Sequence, residues 1–219
     1  MVDCTNWVII DYNFEVLLQL ERFESCNEYL KNFIYDEDLV SSSNRHGNTK
    51  LLIDSESKEF IGYYTICASA ISLNRDNSYN QNYYNEIRDY NQDLLIKYAG
   101  AIGISCFAVN DKYRSEYTIV DNNEIKVSHY LLEEAFEDIR DAARILGTKF
   151  VILTSTDEGR GLYHDFGFEF LDYEHKYNYY IHKNIEYTGP SEEELRRKDK
   201  YVLNINSEDI GCYPMMMNI

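Results

Sequence analysis

From Phe14 to Ile34 apolar residues return at helical intervals, at Leu17, Leu20, Phe23, Leu30, Phe33 and Ile34, with a lapse around Glu24–Asn27. That spacing predicts two helices joined by a short turn, with Ser25 or Asn27 capping the second. Ser41–Asn48 is polar and built of small residues, which reads as a loop. Lys50–Asp54 and Phe60–Ile71 read as two strands around a turn at Ser55–Lys58, the second rich in β-branched and aromatic residues. Leu73–Tyr90 shows no clean period and is read as a loop with a short helix ending near Tyr98. Ala101–Val109 is almost wholly apolar, the pattern of a strand buried on both faces. Ile125, His129, Leu132, Phe136, Ile139, Ala143 and Leu146 then mark one long amphipathic helix, with Gly147 as its stop.

Phe150–Thr154 reads as another buried strand, Glu158–Phe166 as a short helix ended at Gly167, and Phe168–Tyr173 as a strand. Beyond it, Tyr177–His182 and Tyr213–Ile219 have strand character. Pro190-Ser191 with Glu194 has the form of a capped helix start. No repeat or long linker interrupts the chain, so the expectation is one α/β domain over residues 1–219. Its core lies at about 14–174, with a variable extension at about 175–219. The order strand, long helix, strand places a ligand beyond the strand ends, near the N-terminus of the helix.

Charge narrows the function classes. Lys plus Arg number 21 against 38 Asp plus Glu, a net charge of −17. Such a field repels phosphate backbones and acidic membranes, so nucleic acid and membrane surfaces are disfavoured as partners. Any anionic ligand must be held by local donors. The five cysteines (Cys4, Cys26, Cys67, Cys106, Cys212) are widely spaced with no Cys-x-x-Cys pair, which reads as reduced thiols in a cytoplasmic protein and gives no metal set. No signal peptide and no membrane-spanning segment is read.

Three segments carry a family resemblance. Phe23-Glu-Ser-Cys-Asn-Glu-Tyr-Leu-Lys-Asn-Phe33 and Gly62-Tyr63-Tyr64-Thr65 resemble bacterial and phage GCN5-related N-acetyltransferases (GNAT), nearest the toxins that acetylate aminoacyl-tRNA. Gly161-Leu162-Tyr163-His164-Asp165-Phe166-Gly167-Phe168 resembles that family's closing motif. The likeness implies a mixed, partly antiparallel central sheet flanked by helices. It also implies transfer of an acetyl group from acetyl-CoA to a primary amine by direct attack, the acceptor being unspecified. Two alternatives follow: toxin-like acetylation of aminoacyl-tRNA, or a GNAT-like scaffold of impaired activity that binds a protein. A homodimer or a small protein partner fits either.

By the same likeness, Phe107, Ala108 and Val109 give backbone groups to the pantetheine and the thioester oxygen, and Tyr163 protonates the leaving thiolate. The pyrophosphate loop is where this chain departs. The family motif is rich in glycine, whereas here no glycine lies between Gly103 and Gly147 and an insertion at about Ser115–Asn123 interrupts it. Arg114 stands at the motif's start and Lys126, Val127 and Ser128 at its end, with Lys126 a candidate phosphate ligand and Glu124 opposing it. His129 falls on the apolar stripe and reads as a packed residue, His164 as pointing away from the site, and Cys106 as inert in its strand. No general base is identified.

Overall fold

The structure, a computed structural model, describes residues 1–44, 47–72, 98–171 and 212–219, with single positions at 176, 179, 180, 183, 186 and 188. Its contacts divide into two compact units. The first holds Met1–Ala68 and Ile102–Gly147, the second Ser69–Ala101 and Thr148–Ile219.

In the first unit the strands run in the order β1 (Trp7–Asp11), β2 (Gly47–Asp54), β3 (Phe60–Ser72), β4 (Tyr98–Val109). β2 is antiparallel to both β1 and β3. Three short helices, α1 (Phe14–Leu17), α2 (Glu28–Phe33) and α3 (Glu37–Asn44), precede β2. Asn27 caps α2, its side chain accepting from the Leu30 amide at 3.1 Å, so of the two residues able to cap, Asn27 does so.

The period-two alternation of β3 sorts its side chains by layer. Tyr63 packs with Leu17, Phe23, Phe33, Ile34, Val40 and Phe60 on the side of the short helices. Tyr64 turns the other way and donates to Asp138 Oδ2 at 2.6 Å on the long helix α4 (Val127–Leu146). Lys50 of β2 binds the same carboxylate at 2.9 Å, which ties α4 to two strands at once. Gly147 closes α4 with φ of 67°, a left-handed conformation that suits glycine.

In the second unit β9 (Cys212–Asn218) lies between β7 (Phe150–Thr156) and β8 (Glu169–Phe170), antiparallel to both. α5 (Arg160–Asp165) joins β7 to β8. Phe150 and Met216 pack with Ile71, Ala99 and Ala101 from the strand ends that belong to this unit. Every pairing with a described register is antiparallel, so the molecule is a mixed α/β protein with a mostly antiparallel sheet flanked by helices.

Four expectations change. Ser41–Asn48 is not a loop: its first half completes α3 and its last residues open β2, because Val40 at 0 % exposure anchors the helix from inside. Ile125 is not helical but lies in a strand, and α4 starts two residues later. The strand expected over Phe168–Tyr173 is described only at Glu169–Phe170. β1, a half-buried edge strand, was not anticipated at all. The strand at the C-terminus is present. The readings at Leu73–Tyr90, Tyr177–His182 and Pro190–Glu194 lie largely outside the described residues. No described helix is long and apolar enough to cross a membrane.

Candidate functional site

Phe107, Ala108 and Val109 end β4 in the first unit. The exit of that strand is locked by Asn110. Its backbone amide donates to Ile61 O at 2.8 Å and its side-chain amide to Phe60 O at 3.0 Å. Its side-chain oxygen Oδ1 accepts from the Lys112 amide at 3.2 Å and starts a 3-10 turn, Asp111–Tyr113. Gly62 explains how β3 lies so close here. A Cβ at that position would stand 2.7 Å from Ala108 O and 2.8 Å from Leu131 Cδ2, so only glycine lets strand, strand and helix meet.

The insertion before α4 is ordered as a hairpin of β5 (Tyr117–Val120) and β6 (Asn123–Lys126). Asp121 and Asn122 take φ of 50° and 66°, the pair of left-handed residues that a two-residue turn of a twisted hairpin requires. Sequence reading marked an insertion here and missed the hairpin. The Asp-Asn pair between Thr-Ile-Val and Glu-Ile-Lys was its signal.

Lys126 is the last residue of the hairpin and also the N-cap of α4. Val127 is fully buried, and its amide donates to Glu116 O at 3.1 Å. The first turn of α4 contains no acidic residue, and no side chain caps it. Lys126 is exposed at that end, and Ser128 presents only a small hydroxyl next in line. A long helix end, a cation at its N-cap and no competing carboxylate in the first turn suit an anion. These residues therefore fit a diphosphate without glycine, with one backbone donor committed internally. Glu124, two residues earlier on the same hairpin face, stands against it.

Arg114 Nη1 is 2.7 Å from Cys26 Sγ in the turn before α2. The neighbouring Asp111 amide donates to Glu24 O at 2.9 Å, so the two loops are stitched together. Burial, with Cys67 nearby, pushes the Cys106 thiol up to about 12, which agrees with its reading as inert. Burial, with Glu134 beside it, likewise pushes the Tyr130 hydroxyl up to about 12.

Tyr163 lies on α5 in the second unit, 8 % exposed. Its ring meets Phe168 edge-on at a centroid distance of 5.7 Å, and its carbonyl accepts from the Phe168 amide at 3.0 Å. Gly159 leaves room beside it, since a Cβ there would stand 3.3 Å from Tyr163 Cε2. One turn back on the same helix, Arg160 lies 4.5 Å over the Tyr179 ring, within a group formed by Phe170, Tyr179 and Tyr213. Of the eight residues singled out from sequence, seven thus belong to the first unit and Tyr163 to the second.

No protein-family profile and no curated protein matches this chain. Solved structures do. A crystal structure of a bacterial toxin superposes with a TM-score of 0.61 at 17 % identity, covering 97 % of this chain and 90 % of that one. The fold is GNAT-like. The Tyr-to-Phe mutant of KacT superposes at a TM-score of 0.58 and 12 % identity, covering 75 % of this chain and 87 % of its own. AtaTR bound with acetyl-CoA gives a TM-score of 0.56 at 15 % identity, over 74 % of this chain and 86 % of that chain. At these identities the likeness establishes the GNAT-like fold, and the chemistry has to be argued from the residues of this chain.

Proposed function

We propose that this protein is an N-acetyltransferase that moves an acetyl group from acetyl-CoA to a primary amine. The observation that carries the reading is a GNAT-like fold in which a tyrosine of the closing motif, Tyr163, sits on the helix that follows β7. A solved structure of similar fold contains acetyl-CoA. Acetyl-CoA supplies an activated thioester carbonyl. Backbone groups at the end of β4, from Phe107 to Val109, receive its pantetheine arm and oxygen, and Lys126 with the start of α4 holds its diphosphate. The acceptor nitrogen attacks the carbonyl carbon, the carbon–sulfur bond breaks, and the acceptor releases its proton to solvent. Tyr163 protonates the departing thiolate: a phenol with a pKa near 10 is neutral at pH 7 and can donate to a thiolate whose acid has a pKa near 8.5.

A second reading, that the amine belongs to an aminoacyl-tRNA, is favoured by one observation: AtaT, of similar fold, has been solved complexed with acetyl-methionyl-tRNAfMet. The −17 charge of this chain opposes it, since RNA would need its cations gathered on one face. Titration calorimetry with acetyl-CoA tests the first reading. Binding in the micromolar range is expected, and no heat at millimolar cofactor would overturn it. Strong induction in a bacterial host tests the second, which predicts arrested growth; normal growth counts against tRNA and leaves the transferase reading standing.

A further inference from the structure

β5 pairs with β6, and among the described residues no third strand joins them. The register decides which of its backbone groups are left over. Glu116 O accepts from the Val127 amide at 3.1 Å, so Glu116, Thr118 and Val120 turn their backbone groups toward β6. The amides and carbonyls of Tyr117 and Ile119 therefore face the other way. The N-terminal segment runs on that side. Val2 donates its amide to Tyr117 O at 2.8 Å, and Cys4 Sγ reaches Ile119 O at 3.4 Å. Neither the Tyr117 amide nor the Ile119 amide donates to that segment.

A paired strand would satisfy all four outward groups with backbone partners. The N-terminal segment satisfies one in that way and a second through a thiol, a weak donor. It stands off from β5 instead, leaving a cleft of about 320 Å³ lined by Met1, Val2, Asp3, Cys4, Thr118 and Ile119. Tyr117 is 39 % and Ile119 50 % exposed, so the edge also leaves a ring and an aliphatic chain in water. An open edge of this kind is a template for another chain. Charge decides which chain. Residues 116–126 carry Glu116, Asp121 and Glu124 against Lys126 alone. Glu116 already holds a cation, since the Met1 amine lies 2.8 Å from its Oε2.

We propose that the outer edge of β5 is a docking site for an extended basic peptide, which adds to the hairpin as a third strand in place of residues 2–4. In an antiparallel addition, the peptide residues opposite Tyr117 and Ile119 share both their hydrogen bonds and their face. Those residues are apolar and cover the exposed ring and aliphatic chain. The residues between and beyond them are basic and meet Glu116 and Asp121. Backbone pairing supplies the affinity, and the alternation of side chains supplies the selectivity. A second copy of this chain suits the edge less well, because it brings the same carboxylates and a charge of −17. This docking requires no acetyl-CoA.

Fluorescence anisotropy on the full chain tests the edge with a labelled peptide of alternating lysine and valine, about six residues long, the length of an ordinary strand. A Kd of about 100 µM or tighter is expected, and no binding at about 1 mM overturns the proposal. The same peptide with glutamate for lysine should not bind; equal binding of the two would reject the basic partner. Methylating the valine nitrogens removes the amides that face β5 and should abolish binding, whereas methylating the lysine nitrogens should spare it. Equal behaviour of the two methylated peptides would reject strand addition. On the protein, Ile119→Pro deletes an outward amide that the hairpin ladder does not use. It should raise the Kd at least about tenfold, and Ile119→Val should leave it within about twofold. Circular dichroism checks that the proline variant is folded, and the methylated pair decides the matter if it is not. Sedimentation that shows the chain dimerising and excluding the peptide would assign the edge to a second copy and overturn the proposal.

Discussion

Tyr163 carries the sharpest expectation at the scale of single residues. Its ring is packed against Phe168 and beside Gly159, so Tyr163→Phe keeps the volume and removes only the hydroxyl. Transfer to an amine should fall by about 10²- to 10⁴-fold, the range for loss of a general acid, while the Kd for acetyl-CoA stays within a factor of two or so. Steady-state rates beside calorimetry check this; a wild-type rate would remove Tyr163 from the chemistry. Thr118 gives a prediction of opposite sign. Its hydroxyl is buried and unpartnered, so Thr118→Val should stabilise the free protein by roughly 1 kcal/mol in urea unfolding. A loss of stability would mean that the hydroxyl is satisfied within the fold.

At the scale of elements, Gly62 is a position where the packing leaves no room for a side chain. The added methyl of Gly62→Ala meets a backbone oxygen at 2.7 Å, which cannot rotate away as a side chain could. Overpacking of this kind should cost about 1–3 kcal/mol, read as a lower urea midpoint. An unchanged midpoint would show that β3 and β4 can separate freely. This close approach also shows where sequence reading succeeds and where it stops. The Gly62-Tyr63-Tyr64-Thr65 likeness marked the right segment, but the need for glycine comes from Ala108 and Leu131, which are distant in sequence. Periodicity located α4 and its Gly147 stop because one face of twenty residues is apolar. It placed Ile125 in the helix wrongly, since the same isoleucine serves equally well as an inward residue of β6. β1 escaped because five residues with one buried side chain leave almost no pattern to read.

For the whole molecule, tyrosine content becomes a titration property. Burial, followed by Glu37 and Asp36, pushes Tyr12 up to about 12, and burial, followed by Glu134, does the same to Tyr130. Cys106 is raised to about 12 by burial and then Cys67. Each group holds its proton more tightly folded than unfolded, so the native state binds more protons at high pH. This stability is fully present below the unfolded values, near 8.5 for thiol and 10 for phenol, and is lost as pH rises toward 12. Urea midpoints should be flat from about pH 6 to 8 and fall between about 9 and 11. A midpoint that holds to about pH 11 would mean these side chains are far more hydrated than their packing indicates. The sequence displayed the 21 tyrosines openly, but which of them are shielded depends on contacts across strands and helices.

The bond from the Val127 amide to Glu116 O has a kinetic side. A two-residue turn brings β5 onto β6 within ten residues, a closure of microseconds, whereas the first turn of an isolated helix is costly to form. Because Lys126 ends the hairpin and caps α4, the hairpin hands the helix a backbone already fixed at its first residue. Amide hydrogen exchange at Val127 should then follow the opening of the hairpin, sharing the protection of the Ile125 amide rather than that of mid-helix amides such as Phe136. In this protein the start of the long helix is timed by the hairpin in front of it.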